Sequence, residues 1–139
     1  METLSSTYLV RFEHLNQYQT LFVGPVMGWM DEVGYITAIR TLGLKNNSLV
    51  CFAANNVVYG AEIQNGSVLE FTGRVVKLGN TSVTVYVEGS TEEGKRNISG
   101  FFTYVHLDVE TREKTPHGKV LDDTTNPREM ELRKIANSL

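Results

Sequence analysis

Apolar residues recur every three or four positions from Gly24 to Ile39. Val26, Met30, Val33 and Thr37 fall on one helical face, with Met27, Gly34 and Ala38 beside it. Trp29, Tyr35, Ile36 and Ile39 lie elsewhere around the circumference, so the predicted helix is apolar nearly all round until Arg40. That is the pattern of a core helix wrapped by other structure. It should begin near Gly24-Pro25, because proline at the first helical position gives up an N–H that has no helical partner anyway. Gly43, followed by the polar run KNNS, is the predicted stop. Inside this apolar stretch sits the acidic pair Asp31-Glu32. Successive helical residues point about 100° apart, so the two carboxylates do not share a site. A carboxylate here is either solvated at an early helical position favoured by the macrodipole, or it carries chemistry.

Elsewhere the period is two. Tyr8 to Phe12 alternates and is predicted as a first strand, followed by a polar loop, HLNQYQTLF. After the helix come Leu49 to Ala54, continued by Val57 to Tyr59 beyond Asn55-Asn56, and then a turn at Gln64-Asn65-Gly66. Val68 to Leu78 is a long strand, Leu78-Gly79-Asn80 a turn, and Thr81 to Glu88 a half-buried strand with Val83, Val85 and Val87 on one face. STEEGKRN reads as a charged hairpin tip and Ile98 to Val109 as the last strand. A loop-like tail leads to Asn126-Pro127, which starts an amphipathic helix through Asn137 with Met130, Leu132 and Ile135 as its apolar residues. One strand, one long helix and then antiparallel strands predict a single α+β domain over residues 1–139, its core at about 7–110 and a tail and helix at 111–139. One helix cannot cover such a sheet, so a second subunit is expected to bury the remaining edge or helix flank.

Composition narrows the chemistry. With 139 residues the chain can bury a core without staples, and a net charge of −3 argues against a nucleic-acid binder. The start, METLSSTYLVRF, lacks the basic-then-apolar pattern of a secretory signal, and no apolar run reaches membrane-spanning length. Together with a single cysteine, Cys51, this makes the cytoplasm the expected location. His14, His106 and His117 have no metal-ligand spacing, no Ser/His/Asp arrangement is visible, and no phosphate-loop or dinucleotide fingerprint occurs. No metal or cofactor is expected.

The order of elements, taken with Asn16, Gln19, Val23, Gly24 and the run Trp29-Met30-Asp31-Glu32, resembles the hotdog-fold acyl-CoA thioesterases, in particular the cytosolic acyl-CoA hydrolase branch. Tyr59, Gly66, Gly79-Asn80-Thr81-Ser82 and the closing run GFFTYVHLD at 100–108 extend the match over most of the chain. Gln19 and Val23 stand where that pattern has glycines, and Asn80 where it has a basic residue. The resemblance implies a curved antiparallel sheet of about five strands around one central helix. It also implies a homodimer or a dimer-based tetramer or hexamer acting on an acyl-CoA. It makes Asp31 the general base or nucleophile, its protonation tuned by Thr81 or Ser82. Asn16 then positions the water or the carbonyl, and Gly24 offers an oxyanion site at the helix start. Thr81, Ser82, Arg74 and Tyr59 become substrate-binding residues, with Arg74, Lys77, Lys95 or Arg96 meeting coenzyme A phosphates. A dehydratase on the same frame needs a histidine near the helix start, and Gln17–Gly28 contains none. A non-catalytic acyl-thioester sensor is the rival reading.

Overall fold

In the computed structural model the described residues are all except Ala61, Glu93 and Lys95, with the main chain alone described for Arg96 and Asn97. The order is β1 (Thr3–Leu9), a 3-10 turn (Phe12–His14), α1 (Val23–Leu42), β2 (Leu49–Tyr59), β3 (Val68–Leu78), β4 (Ser82–Thr91), β5 (Arg96–His106) and α2 (Pro127–Asn137). The strands form one antiparallel sheet in the order β1-β3-β4-β5-β2, an α+β architecture as expected. The expected hairpin tip between β4 and β5 falls partly outside the described residues.

The first strand lies earlier than the alternation of Tyr8 to Phe12 suggests. It runs Thr3–Leu9 and pairs with β3 from Thr3↔Arg74 to Leu9↔Val68, while Phe12–His14 forms the turn that leads to α1. β2 passes through Asn55-Asn56 without interruption, absorbing the pair as an irregularity between Asn55 and Val58 with Asn56 at φ 51°.

α1 buries Val26, Met30, Val33, Gly34, Thr37, Ala38, Ile39 and Leu42. They pack against Leu69, Phe71, Val75, Val83, Val85, Val87, Phe102 and Tyr104 from the facing side of the sheet. Gly43 ends the helix at φ 63°, ψ 39°, its N–H bonded to the Ile39 carbonyl, a left-handed cap that glycine enters without Cβ strain. α2 covers the opposite face, where Leu132 and Ala136 meet Val76, Tyr86 and Phe101. Its buried side is the predicted one only in part: Leu132 is buried and Ile135 packs against the same cluster, but Met130 does not. Met130 is 53% exposed, whereas the carboxylate-bearing Glu129 is 4% exposed. Arg133 at 3.0 Å, Arg74 at 3.4 Å and the Met1 amino group at 3.0 Å surround that carboxylate, which makes its burial tolerable. Asn126 caps α2 by accepting from the Glu129 N–H at 3.0 Å.

Candidate active site

Asp31 lies just over two turns inside α1, on the flank between its buried stripe and the solvent, and is half-buried. Glu32, turned away by the helical offset, accepts a hydrogen bond from the Tyr8 hydroxyl on β1 at 2.8 Å. Burial, and then this bond and the Glu32 charge, push the Tyr8 hydroxyl up to about 12. The two carboxylates therefore serve opposite ends of the sheet.

Asp31 is met from β5 and β2. The Tyr104 hydroxyl donates to the Asp31 main-chain carbonyl at 2.8 Å and to Oδ1 at 3.0 Å. Cys51, directly opposite Tyr104 in the β2–β5 register, lies within electrostatic reach of the same carboxylate. Burial first, and then the Asp31 charge and hydrogen bond, raise both the Cys51 thiol and the Tyr104 hydroxyl above their ordinary values. Both groups thus remain protonated donors at neutral pH. Neither was singled out from the sequence as a partner of Asp31. The pairing joins residues 73 positions apart, and no local pattern signals it.

The loop before α1 is built by Asn16. Its Oδ1 accepts from the N–H groups of Tyr18 (2.9 Å) and Thr20 (3.2 Å), and its Nδ2 donates to Thr20 Oγ1 at 3.1 Å. Gln19, in a position that the resemblance gives to glycine, sits at φ 65° and so keeps a glycine-like backbone with a long side chain. Val23, the other such position, is an ordinary first helical residue with negative φ. Phe22 is the N-cap without a side-chain cap, so among the described residues no side chain occupies the first-turn N–H groups of α1. Gly24 leaves room for the Phe22 ring, which a Cβ would meet at 2.6 Å. His14 accepts from the Arg11 N–H and lies edge-on to Trp29, a structural loop residue.

The remaining predicted residues lie apart from Asp31 within the chain. Thr81 ends the β3–β4 turn and Ser82 opens β4; the Thr81 carbonyl accepts from the His106 N–H at 2.7 Å and the Ser82 carbonyl faces His117 Nε2 at 3.0 Å. No hydrogen bond joins either to the Asp31 carboxylate among the described residues. Tyr59 gives its hydroxyl to the Leu21 carbonyl and so ties the end of β2 to the loop. Arg74 faces α2, on the side of the sheet opposite Asp31, and spends its guanidinium on Thr3 at 2.8 Å and Glu129 at 3.4 Å. Lys95 and the Arg96 side chain lie outside the described residues. A cavity of about 640 Å³ against α2, lined by Asp123, Met130 and Arg133 among others, and one of about 300 Å³ between Lys45, His106, His117 and Lys119 are both lined without Asp31. Among the described residues no cluster of three potential metal ligands occurs, and no helix is long and apolar enough to cross a membrane.

A long helix laid on one face of a five-stranded antiparallel sheet, with a carboxylate on its flank beside an edge strand, defines a hotdog-fold protein. The thioesterase superfamily profile matches residues 18–98, and the chain belongs to that family. It is 33% identical over 97 residues to an uncharacterized acyl-CoA thioester hydrolase of Zymomonas mobilis, a match covering 66% of this chain and 63% of that protein. The chain thus spans less than two thirds of this curated relative. Among solved structures, an apo-hexameric acyl-CoA thioesterase superposes with a TM-score of 0.81 at 26% identity, over 98% of this chain and 86% of that one. The Staphylococcus aureus acyl-CoA hydrolase, solved with butyryl coenzyme A, coenzyme A and coenzyme A disulfide, gives a TM-score of 0.73 at 24% identity, again over 98% and 86%.

Proposed function

We propose that this protein hydrolyses an acyl-CoA thioester to the free acid and coenzyme A, with Asp31 as the group that activates the attack. The observation that carries the reading is the Asp31 carboxylate itself. It is half-buried, fixed by Tyr104, and set on the helix of a chain in the thioesterase superfamily. As general base, Asp31 takes a proton from water while the water oxygen bonds to the thioester carbon. The C–S bond then breaks, and the sulfur leaves as thiolate and is protonated. As nucleophile, Asp31 forms the carbon–oxygen bond itself while the C–S bond breaks and the thiolate leaves and is protonated, and water then hydrolyses the resulting anhydride. In either case the developing oxyanion finds the first-turn N–H groups of α1, Gly24 among them, and the positive end of the helix dipole. Asn16 shapes the loop that delivers this helix start, and it contributes an amide toward the carbonyl or the water. The Asn→Ala and Asp→Ala variants solved for the S. aureus enzyme alter residues fifteen positions apart, the separation of Asn16 and Asp31.

The site is completed by a second copy. β2 has an unpaired side in this chain and exposes Val50, Phe52 and Val58, while Asp31 and Cys51 lie beside that edge. A homodimer, alone or within a higher oligomer such as the hexameric relative, covers the edge and brings Thr81 and Ser82 of one copy toward the substrate of the other.

Incubating the protein with a panel of short, long and aromatic acyl-CoAs while following free thiol tests this directly. Saturable turnover that Asp31→Asn abolishes is the expected result. Binding across the panel without turnover overturns it in favour of an acyl-thioester sensor. Light scattering that finds a monomer at micromolar concentration removes the shared site.

A further inference from the structure

We propose that Tyr104 is the positioning residue for Asp31 and that Gly34 is the vacancy that admits its hydroxyl. This rests on the assignment of Asp31 to the reaction. Tyr104 is 1% exposed, with its ring in the core between β5 and α1. A buried tyrosine hydroxyl needs a partner, and a main-chain carbonyl alone satisfies it. Here the same hydroxyl also reaches Oδ1 of the residue whose carbonyl it contacts, at 2.8 Å and 3.0 Å. One O–H thus ties the Asp31 side-chain rotamer to the helix backbone and holds the helix to β5.

Gly34 supplies an independent observation. It lies one turn beyond Asp31 on α1, and a Cβ placed there overlaps the Tyr104 hydroxyl while lying 3.3 Å from Cε2 and Cζ of the ring. The space above residue 34 therefore matches the oxygen and not the ring. Alanine at 34 displaces the hydroxyl, yet it is compatible with a phenylalanine at 104 after an adjustment of a few tenths of an ångström. The other ionisable groups near Asp31 are Cys51, from β2, and Glu32, which is turned to Tyr8. With the hydroxyl gone, no side-chain O–H or N–H among the described residues donates a hydrogen bond to the carboxylate.

The experiment is a cycle of Tyr104→Phe, Gly34→Ala and the double variant, with Asp31→Asn alongside. Each is read by kcat and KM on an acyl-CoA and by the Asp31 side-chain rotamer in a crystal structure of the variant. Tyr104→Phe keeps the ring. It is expected to lower kcat about tenfold with KM within about twofold, the scale of one hydrogen bond to a charged group. It should also release the Asp31 carboxylate from its single rotamer, since the hydroxyl that ties it to the helix backbone is gone. Gly34→Ala should reproduce both effects in the wild type and add nothing in the Tyr104→Phe background. An unchanged Asp31 rotamer in Tyr104→Phe, or equal Gly34→Ala losses in both backgrounds, overturns the inference. If Asp31→Asn retains full turnover while Tyr104→Phe still frees the Asp31 rotamer, the function assignment falls and the positioning geometry stands.

Discussion

Asn16→Ala separates what this residue does for its loop from what it does for the reaction. In the wild type Oδ1 accepts two main-chain N–H groups, that of exposed Tyr18 and that of buried Thr20. Alanine leaves both without an acceptor. The Tyr18 N–H turns to water at little cost, whereas the Thr20 N–H is left unpaired in a buried position, a loss of about 1–3 kcal/mol. For a domain of this size that corresponds to a Tm lower by roughly 4–10 °C. Asn16→Asp keeps the acceptor oxygen and gives up the Nδ2 donor to Thr20 Oγ1, so its stability should stay within about 1 kcal/mol of wild type. Urea unfolding at pH 7 gives the stabilities, and thiol release from acyl-CoA gives the rates. If the amide serves the chemistry, both variants lose turnover but only the alanine loses the loop. An Asn16→Ala protein as stable as wild type, or an aspartate variant destabilised as much as the alanine, refutes the loop argument.

Two other perturbations follow from the same kind of reasoning. Gln19 at φ 65° carries left-handed strain of about 1–2 kcal/mol, partly offset against glycine by the latter's larger folding entropy cost of about 0.5–1 kcal/mol. Gln19→Gly should therefore stabilise by about 0.5–1 kcal/mol and Gln19→Val destabilise, as measured by chemical denaturation. Burial alone raises the Glu129 carboxyl, but the Met1 ammonium, the hydrogen bond from Thr124 and the Arg133 charge together outweigh it and hold the group below its ordinary value. Its folded-state value is depressed, so its stabilisation is fully present above the unfolded value near 4.5 and is lost as the pH falls through the lower folded value. Glu129→Gln should cost roughly 3 kcal/mol at pH 7, with the difference from wild type shrinking below pH about 4; a constant difference down to pH 3 contradicts the ion-pair account.

Much of the frame can be read from local pattern because turns bracket it. β3 is predicted as Val68 to Leu78 and observed there, since Gly66 and Gly79 mark both ends and its apolar alternation is regular. Gly43 and Asn126 likewise announce a helix end and a helix start. The first strand is different. TLSSTYL carries mostly hydroxyl side chains, and its inward positions include Ser6, so alternation is weak and its place is set by pairing with β3. The buried side of α2 is hidden in part for a related reason: Glu129 is acceptable in the interior because of Arg74 on a distant strand and Arg133 on the next turn. The site divides in the same way. Asp31 stands out in one dimension as an acid within an apolar period, but the hydroxyl that holds it comes from a strand that only the sheet order brings beside α1.

The β2 edge explains why the proposed site needs more than one chain. Leu49–Tyr59 contains no lysine, arginine or proline, the residues that usually guard an exposed edge, and it exposes Phe52 at 74% and Val58 at 55%. Its two register irregularities, at Cys51/Ala53 and Asn55/Val58, bend the strand without capping its free N–H and C=O groups. An edge of that composition calls for a partner, and a second copy of the same strand supplies a self-complementary one about a two-fold axis. Cys51 lies on that edge and feels the Asp31 charge, so the proposed dimer closes over the carboxylate as it covers the strand. Exclusion of water there strengthens the charge interactions on which thioester attack depends. In this proposal assembly and chemistry are set by the same few residues, and a variant that opens the edge should lose both together.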